Sequence, residues 1–244
     1  MLEGALLALL ITQGVNWILN YLEVTKVLPE DGKELDSGFI KELLSFSTPV
    51  ALQEGLYALT SWFTVILLLY LGGFGEVGLY AAAIQWSVII LFVPGILRNV
   101  ILTHLAGTTN DTSVHDRVLK RTLCINFIAT IIPLAIIFVL RSWIAGFYGE
   151  SYRGELENIL PISVFTTIFL SLSNVYAQAF MSINKNWQMF GIRVLRDIII
   201  LLLTFTLVQY RYYPAAMSFA VSSLMGQAIF YVVLIKVYHK LTNI

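Results

Sequence analysis

The alternation of apolar and polar positions divides the chain into seven long apolar runs, at 2–22, 48–71, 77–105, 122–140, 159–183, 187–208 and 215–235. A helix needs about 20 apolar residues to cross the hydrocarbon of a bilayer, and each run meets that length. The third is long enough to require tilt or an end protruding from the membrane. Polar punctuation is short except in three connections, "EVTKVLPEDGKELDSGFIKELLSFS", "GTTNDTSVHDRVLKR" and "RSWIAGFYGESYRGELEN". The pattern predicts an all-α, polytopic membrane helix bundle of about seven transmembrane helices. In the first connection, Asp36 and Ser37 suit a helix cap, and Phe39, Ile40, Leu43 and Leu44 recur at helical spacing. This predicts a short amphipathic helix on the membrane surface before the chain turns into the second span.

Composition agrees with the pattern. Of 244 residues, 58% are hydrophobic and 12% charged, against about 25% charged in soluble domains. Formal net charge is zero, so the basic face that nucleic acid requires is missing and no nucleic-acid partner is expected. The first run carries Glu3 and no preceding Lys or Arg, unlike a signal peptide. It reads as a retained transmembrane helix, and the chain is expected to begin partway through a larger protein. With the N-terminus outside and the C-terminus cytoplasmic, twelve of the fifteen basic residues fall on the inner side, leaving Arg141, Arg153 and Arg211 outside.

The lone Cys124 reads as a small buried hydrophobe. His104, Asp111, His115 and Asp116 share a connection at loose spacing and read as a solvated face rather than a metal cluster. Gly72, Gly73, Gly75 and Gly78 need form no more than a flexible outer turn. Phosphate loops, dinucleotide fingerprints, zinc-protease helices and nucleophile elbows are absent from the sequence. No enzyme activity and no cofactor are expected.

Charge inside the apolar runs is where chemistry enters. Glu54 stands about 20 residues before the turn "LGGFGEVG", and Arg98 about 23 after it. At 1.5 Å per residue the two share a depth to within roughly 5 Å on adjacent antiparallel helices. A carboxylate inside the bilayer costs roughly 2.5–3.5 kcal/mol on insertion scales. Glu54 and Arg98 are therefore either a structural ion pair or part of a polar pathway. Helical spacing sets Glu54, Tyr57 and Ser61 on one side, with Gln53 and Thr60 beside them. Gln85, Trp86, Arg98 and Asn99 can contribute to the same wall from the next helix. In the sixth run Arg193 and Asp197 are four apart and can pair. Headgroup anchoring and lipid-phosphate binding are both open to that group.

The order of several motifs resembles a known family. "FSTPVALQEGLYALTSWF", the outer turn "LGGFGEVG", "VGLYAAA" and a proline-bearing helix resemble the hairpin that opens a lobe in polysaccharide flippases of the MOP superfamily, of the Wzx or PST type. "FYGESYRGELENILPI", "INKNWQ" and "YYPAAMSFAVSS" continue the resemblance to about Lys240. The family often carries another proline near an inner Leu-Ser, where this chain has "LTHLAG". The resemblance implies one six-helix C-terminal lobe over 47–244, preceded over 1–46 by the last helix of another lobe and a cytoplasmic connection. It implies a bacterial inner-membrane flippase that carries an undecaprenyl-diphosphate-linked oligosaccharide by alternating access, for O-antigen, capsule or exopolysaccharide. The expected partners are that lipid-linked oligosaccharide, membrane lipids and a missing N-terminal lobe. Arg98 is then the candidate anion contact, and Glu54 its counter-charge or proton carrier. A multidrug or cation exporter of the same superfamily, a membrane-embedded transferase and a non-catalytic scaffold remain as alternatives.

Overall fold

The structure, a computed structural model, describes residues 2–27, 37–109 and 111–242. Eight helices follow one another: α1 (Leu2–Val27), α2 (Ser37–Gly72), α3 (Phe74–Ala106), α4 (Thr112–Val139), α5 (Arg141–Gly146), α6 (Glu150–Ser182), α7 (Asn186–Gln209) and α8 (Ala215–Thr242). No strand occurs among the described residues. The chain forms two compact units, Met1–Leu44 and Ser45–Ile244. In the first unit α1 is a single apolar helix, with Trp17 and Tyr21 stacked at 5.8 Å between ring centroids.

Seven long helices take the places of the seven apolar runs. Five of them, α2, α3, α4, α6 and α8, contain stretches long and apolar enough to cross a membrane. In α7, any stretch of that length includes Arg193, Arg196 and Asp197. Sequence and structure differ at the entry to α2. The expected surface helix and turn are replaced by one helix running from Ser37 to Gly72, through Pro49; Asp36 lies outside the described residues. Pro94, Pro133 and Pro161 likewise sit inside continuous helices, as neighbouring helices allow in membrane proteins.

In the second unit α6 is the central helix, packed by α3, α4, α5 and α8, while α7 packs on α8. Its sequence explains this. Leu160, Val164, Ile168 and Leu172 repeat every fourth residue and face Ile90, Leu134, Ile137 and Ile144. Val175, Tyr176, Ala179 and Phe180 continue into a cluster with Leu105, Leu119, Leu234 and Tyr238. Of the buried hydroxyls on α6, Thr166 bonds back to the Ile162 carbonyl at 2.9 Å, while Ser171 donates to the Asn126 carbonyl of α4 at 3.4 Å. Such residues belong between helices rather than against lipid. The α7–α8 approach depends on Gly226, where an added Cβ would run into Ile200 Cγ1.

The glycines around the α2–α3 turn have separate settings. The turn itself is one residue, Gly73, at φ +81°, a conformation that glycine adopts without steric cost. Gly72 faces Glu76 and Ala215, and Gly78 faces the Tyr152 ring. Glu76 then accepts the Ala216 N–H at 2.6 Å, tying the start of α3 to that of α8.

Candidate functional site

Glu54 and Arg98 meet. Arg98 Nη2 lies 3.1 Å from Glu54 Oε1, and both side chains are about half exposed, at 42% and 57%. The pair faces out of the unit rather than into its core. Gln53, one residue before Glu54, points the other way and is buried. With Thr64 and Leu68 it marks the edge of α2 that faces the other helices. Tyr57 is exposed and Ser61 partly so; they lie on the open side with Glu54.

A second charged group sits beside the first. Asp197 Oδ1 is held by Arg196 at 2.6 Å, and its Oδ2 accepts a hydrogen bond from Thr60 of α2 at 3.0 Å. Arg196 also lies over the Phe230 ring, 4.7 Å from its centroid. The pairing expected from sequence was between Arg193 and Asp197; the structure gives Asp197 to Arg196 instead. Helical spacing permits the first, but Arg196 reaches the carboxylate with both Nε and Nη2. Arg193 is left with a buried Nε that has no hydrogen-bond partner. It lies within electrostatic reach of Arg196, Asp197, Glu54 and Arg98. Three guanidinium groups thus face two carboxylates across α2, α3 and α7. All five residues stand out in the sequence as two separate groups, because nothing in the chain order brings α7 to α2.

Gln85 and Trp86 stand apart from this layer. Thirteen and twelve residues before Arg98, they are roughly 20 Å away along α3. Trp86 Nε1 donates to the Tyr148 hydroxyl at 3.1 Å, and that hydroxyl donates to Gln85 Oε1 at 3.1 Å. Tyr148 carried no signal in the sequence beyond its place in an outer connection. The side chain of Asn99 lies outside the described residues.

The residues of the α3–α4 connection do not form one solvated face. Asp111 caps α4, accepting the Ser113 and Val114 N–H groups at 3.0 and 3.1 Å. The Val114 N–H first, and then the Ser113 hydroxyl, which donates at 2.8 Å, hold its carboxyl below the usual carboxylate range. His115 is buried, because α4 turns it inward against α8. Its Nδ1 meets the Leu105 carbonyl at 3.2 Å and its Nε2 the Tyr238 hydroxyl at 2.6 Å. Cys124 is exposed rather than buried, because it falls on the outward side of α4.

The fold is similar to that of solved transporters described as MATE or MOP-superfamily proteins. A MATE transporter in a point-mutant form superposes with a TM-score of 0.81 at 12% identity, covering 93% of this chain and 52% of that one. An outward-facing multidrug-resistance MATE transporter gives 0.77 at 10% identity, covering 89% and 50%. A MOP-superfamily transporter from Pyrococcus furiosus, described as having a binding pocket of reverse polarity, gives 0.77 at 13% identity, covering 93% and 53%. The chain therefore spans about half the length of the solved transporters it matches. No family model matches it, and no curated protein does. Among the described residues, five helices long and apolar enough to cross a membrane stand in a fold shared with those solved transporters.

Proposed function

We propose that this chain serves in the translocation of an undecaprenyl-diphosphate-linked oligosaccharide across a bacterial inner membrane. The observation that carries the reading is the charge balance of the layer around Glu54: Arg98, Arg193 and Arg196 against Glu54 and Asp197. Charge in hydrocarbon is costly unless compensated, so an excess guanidinium favours an anionic cargo over a cationic one. Arginine also suits phosphate through its fork of donors. The resemblance of the α2–α3 hairpin to polysaccharide flippases supplies the class of anion, a diphosphate carrying sugar. Glu54 holds Arg98 when cargo is absent and releases it to phosphate when cargo arrives. Because the chain spans half of each matched transporter, the alternating-access cycle of two lobes belongs to this proposal.

The test is transport in cells and in vesicles. Glu54→Gln and Arg98→Ala are each expected to lower surface polysaccharide, and vesicles are expected to move the lipid-linked sugar while leaving cationic dyes alone. Wild-type polysaccharide in both variants would end the assignment. Export of a cationic dye with no movement of lipid-linked sugar would transfer it to the exporter reading.

A further inference from the structure

We propose that the groove between α3 and α4 is a binding site for an anionic phospholipid, distinct from the Glu54 layer. The groove has a volume of about 390 Å³ and is mainly apolar, with Leu97, Val100 and Ile101 from α3 and Val118 and Ile125 from α4, interrupted by Thr122 and Asn126. That volume lies in the range of sites that hold small apolar ligands, about 300–1,000 Å³. Its flanks are apolar and open: Val100 and Ile125 are 52% and 47% exposed, and Ile96 and Ile128 beside them are exposed as well. In a helix bundle surrounded by hydrocarbon, such an opening faces acyl chains.

The polar residues of the groove give it a charge. His104 and Arg121 line it, and Arg121 immediately precedes the apolar run 122–140, at the level where lipid phosphates begin. Among the described residues the Arg121 guanidinium has no ion pair. Carboxylates that might otherwise take it are engaged elsewhere. Asp116 pairs with Lys120 at 2.6 Å, and Asp111 is occupied by Ser113 and Val114 and lies near Arg117. Arg117, exposed one helical turn before Arg121, adds to the same positive end. An apolar cleft with an unpaired guanidinium at its polar end matches one acyl chain and one phosphate of the same molecule. Basic pockets between transmembrane helices recognise anionic headgroups in this way.

The purified chain in detergent is titrated with phosphatidylglycerol, phosphatidylcholine or inorganic phosphate, and followed by native mass spectrometry and thermal unfolding. Phosphatidylglycerol is expected to be retained and to raise the unfolding temperature, with phosphatidylcholine weaker. Arg121→Gln is expected to lower phosphatidylglycerol retention about fivefold, the effect of one basic residue at a membrane surface, and Arg121→Lys to restore it. Val100→Trp, which fills the groove at an exposed position, is expected to reduce retention of both lipids. Equal retention of the two lipids, or unchanged retention in Arg121→Gln, would overturn the proposal. So would stabilisation by inorganic phosphate equal to that by the lipid, since the groove would then contribute nothing. None of these outcomes depends on transport, so the flippase reading stands or falls separately.

Discussion

Thr60 of α2 donates a hydrogen bond to Asp197 of α7 at 3.0 Å, although the two are 137 positions apart in sequence. The same carboxylate holds Arg196, and only 10% of the Arg196 side chain and 7% of the Asp197 side chain are exposed. Removing one member of a buried ion pair leaves the other charge uncompensated, which costs about 3–5 kcal/mol. Asp197→Asn is therefore expected to destabilise the protein by about that amount. Thr60→Val loses one hydrogen bond to a charged group, about 1.5–3 kcal/mol. Unfolding in mixed detergent and denaturant measures both. A double variant that loses no more than Asp197→Asn alone would place the Thr60 contribution wholly in that bond.

Gly226 and Ile200 set the spacing of α7 and α8. Any side chain at Gly226 meets the Ile200 side chain, so Gly226→Ala forces Ile200 or the helices to shift, and overpacking of this kind costs about 1–3 kcal/mol. Ile200→Ala in the same chain removes the obstacle and is expected to recover part of the loss. Thermal unfolding of the single and double variants reads the recovery.

His115 joins α4 to both α3 and α8. A carbonyl only accepts, so the Leu105 contact assigns the proton to Nδ1, and Nε2 then accepts from the Tyr238 hydroxyl. Tyr238→Phe leaves that buried nitrogen without a donor, at about 1–3 kcal/mol. The loss is expected in thermal unfolding, together with faster hydrogen exchange at the ends of α4 and α8.

Asp111 makes the start of α4 sensitive to acid. Its carboxyl is held below the ordinary value by the Val114 N–H and the Ser113 hydroxyl, so its contribution is complete above the unfolded aspartate value, near 3.9. The contribution is lost as pH falls through the lower folded value. Asp111→Asn keeps a capping oxygen but cannot titrate. The stability difference between wild type and this variant is expected to hold near neutral pH and to shrink in acid, as followed by circular dichroism.

The Glu54–Arg98 contact was legible in the sequence because it needs only helical rise and one tight turn: their separations from Gly73, 19 and 25 residues, are similar enough for two long side chains on antiparallel helices to meet. The Asp197 network was not, since its partners come from helices whose neighbour relations depend on how α6 and α8 fill the centre. His115 shows the same limit. In a polar connection it reads as solvated, yet the extension of α4 back to Thr112 turns it onto Tyr238. Cys124 errs in the opposite direction, because an apolar stretch in a membrane protein has an outside that is as apolar as its inside.

The sequence by itself determined the number of long helices, their order and their apolar character. Those properties follow from local periodicity and from the length needed to cross hydrocarbon. It determined too that charge enters the apolar runs at Glu54, Arg98, Arg193, Arg196 and Asp197. Tertiary structure decided which of these charges pair and which guanidinium is left over. It also decided that Gln85 and Trp86 belong to Tyr148 rather than to the Glu54 layer. Pairing depends on the rotation of each helix about its axis, and that rotation is set by close packing at positions such as Gly226 and Leu160, which carry no charge.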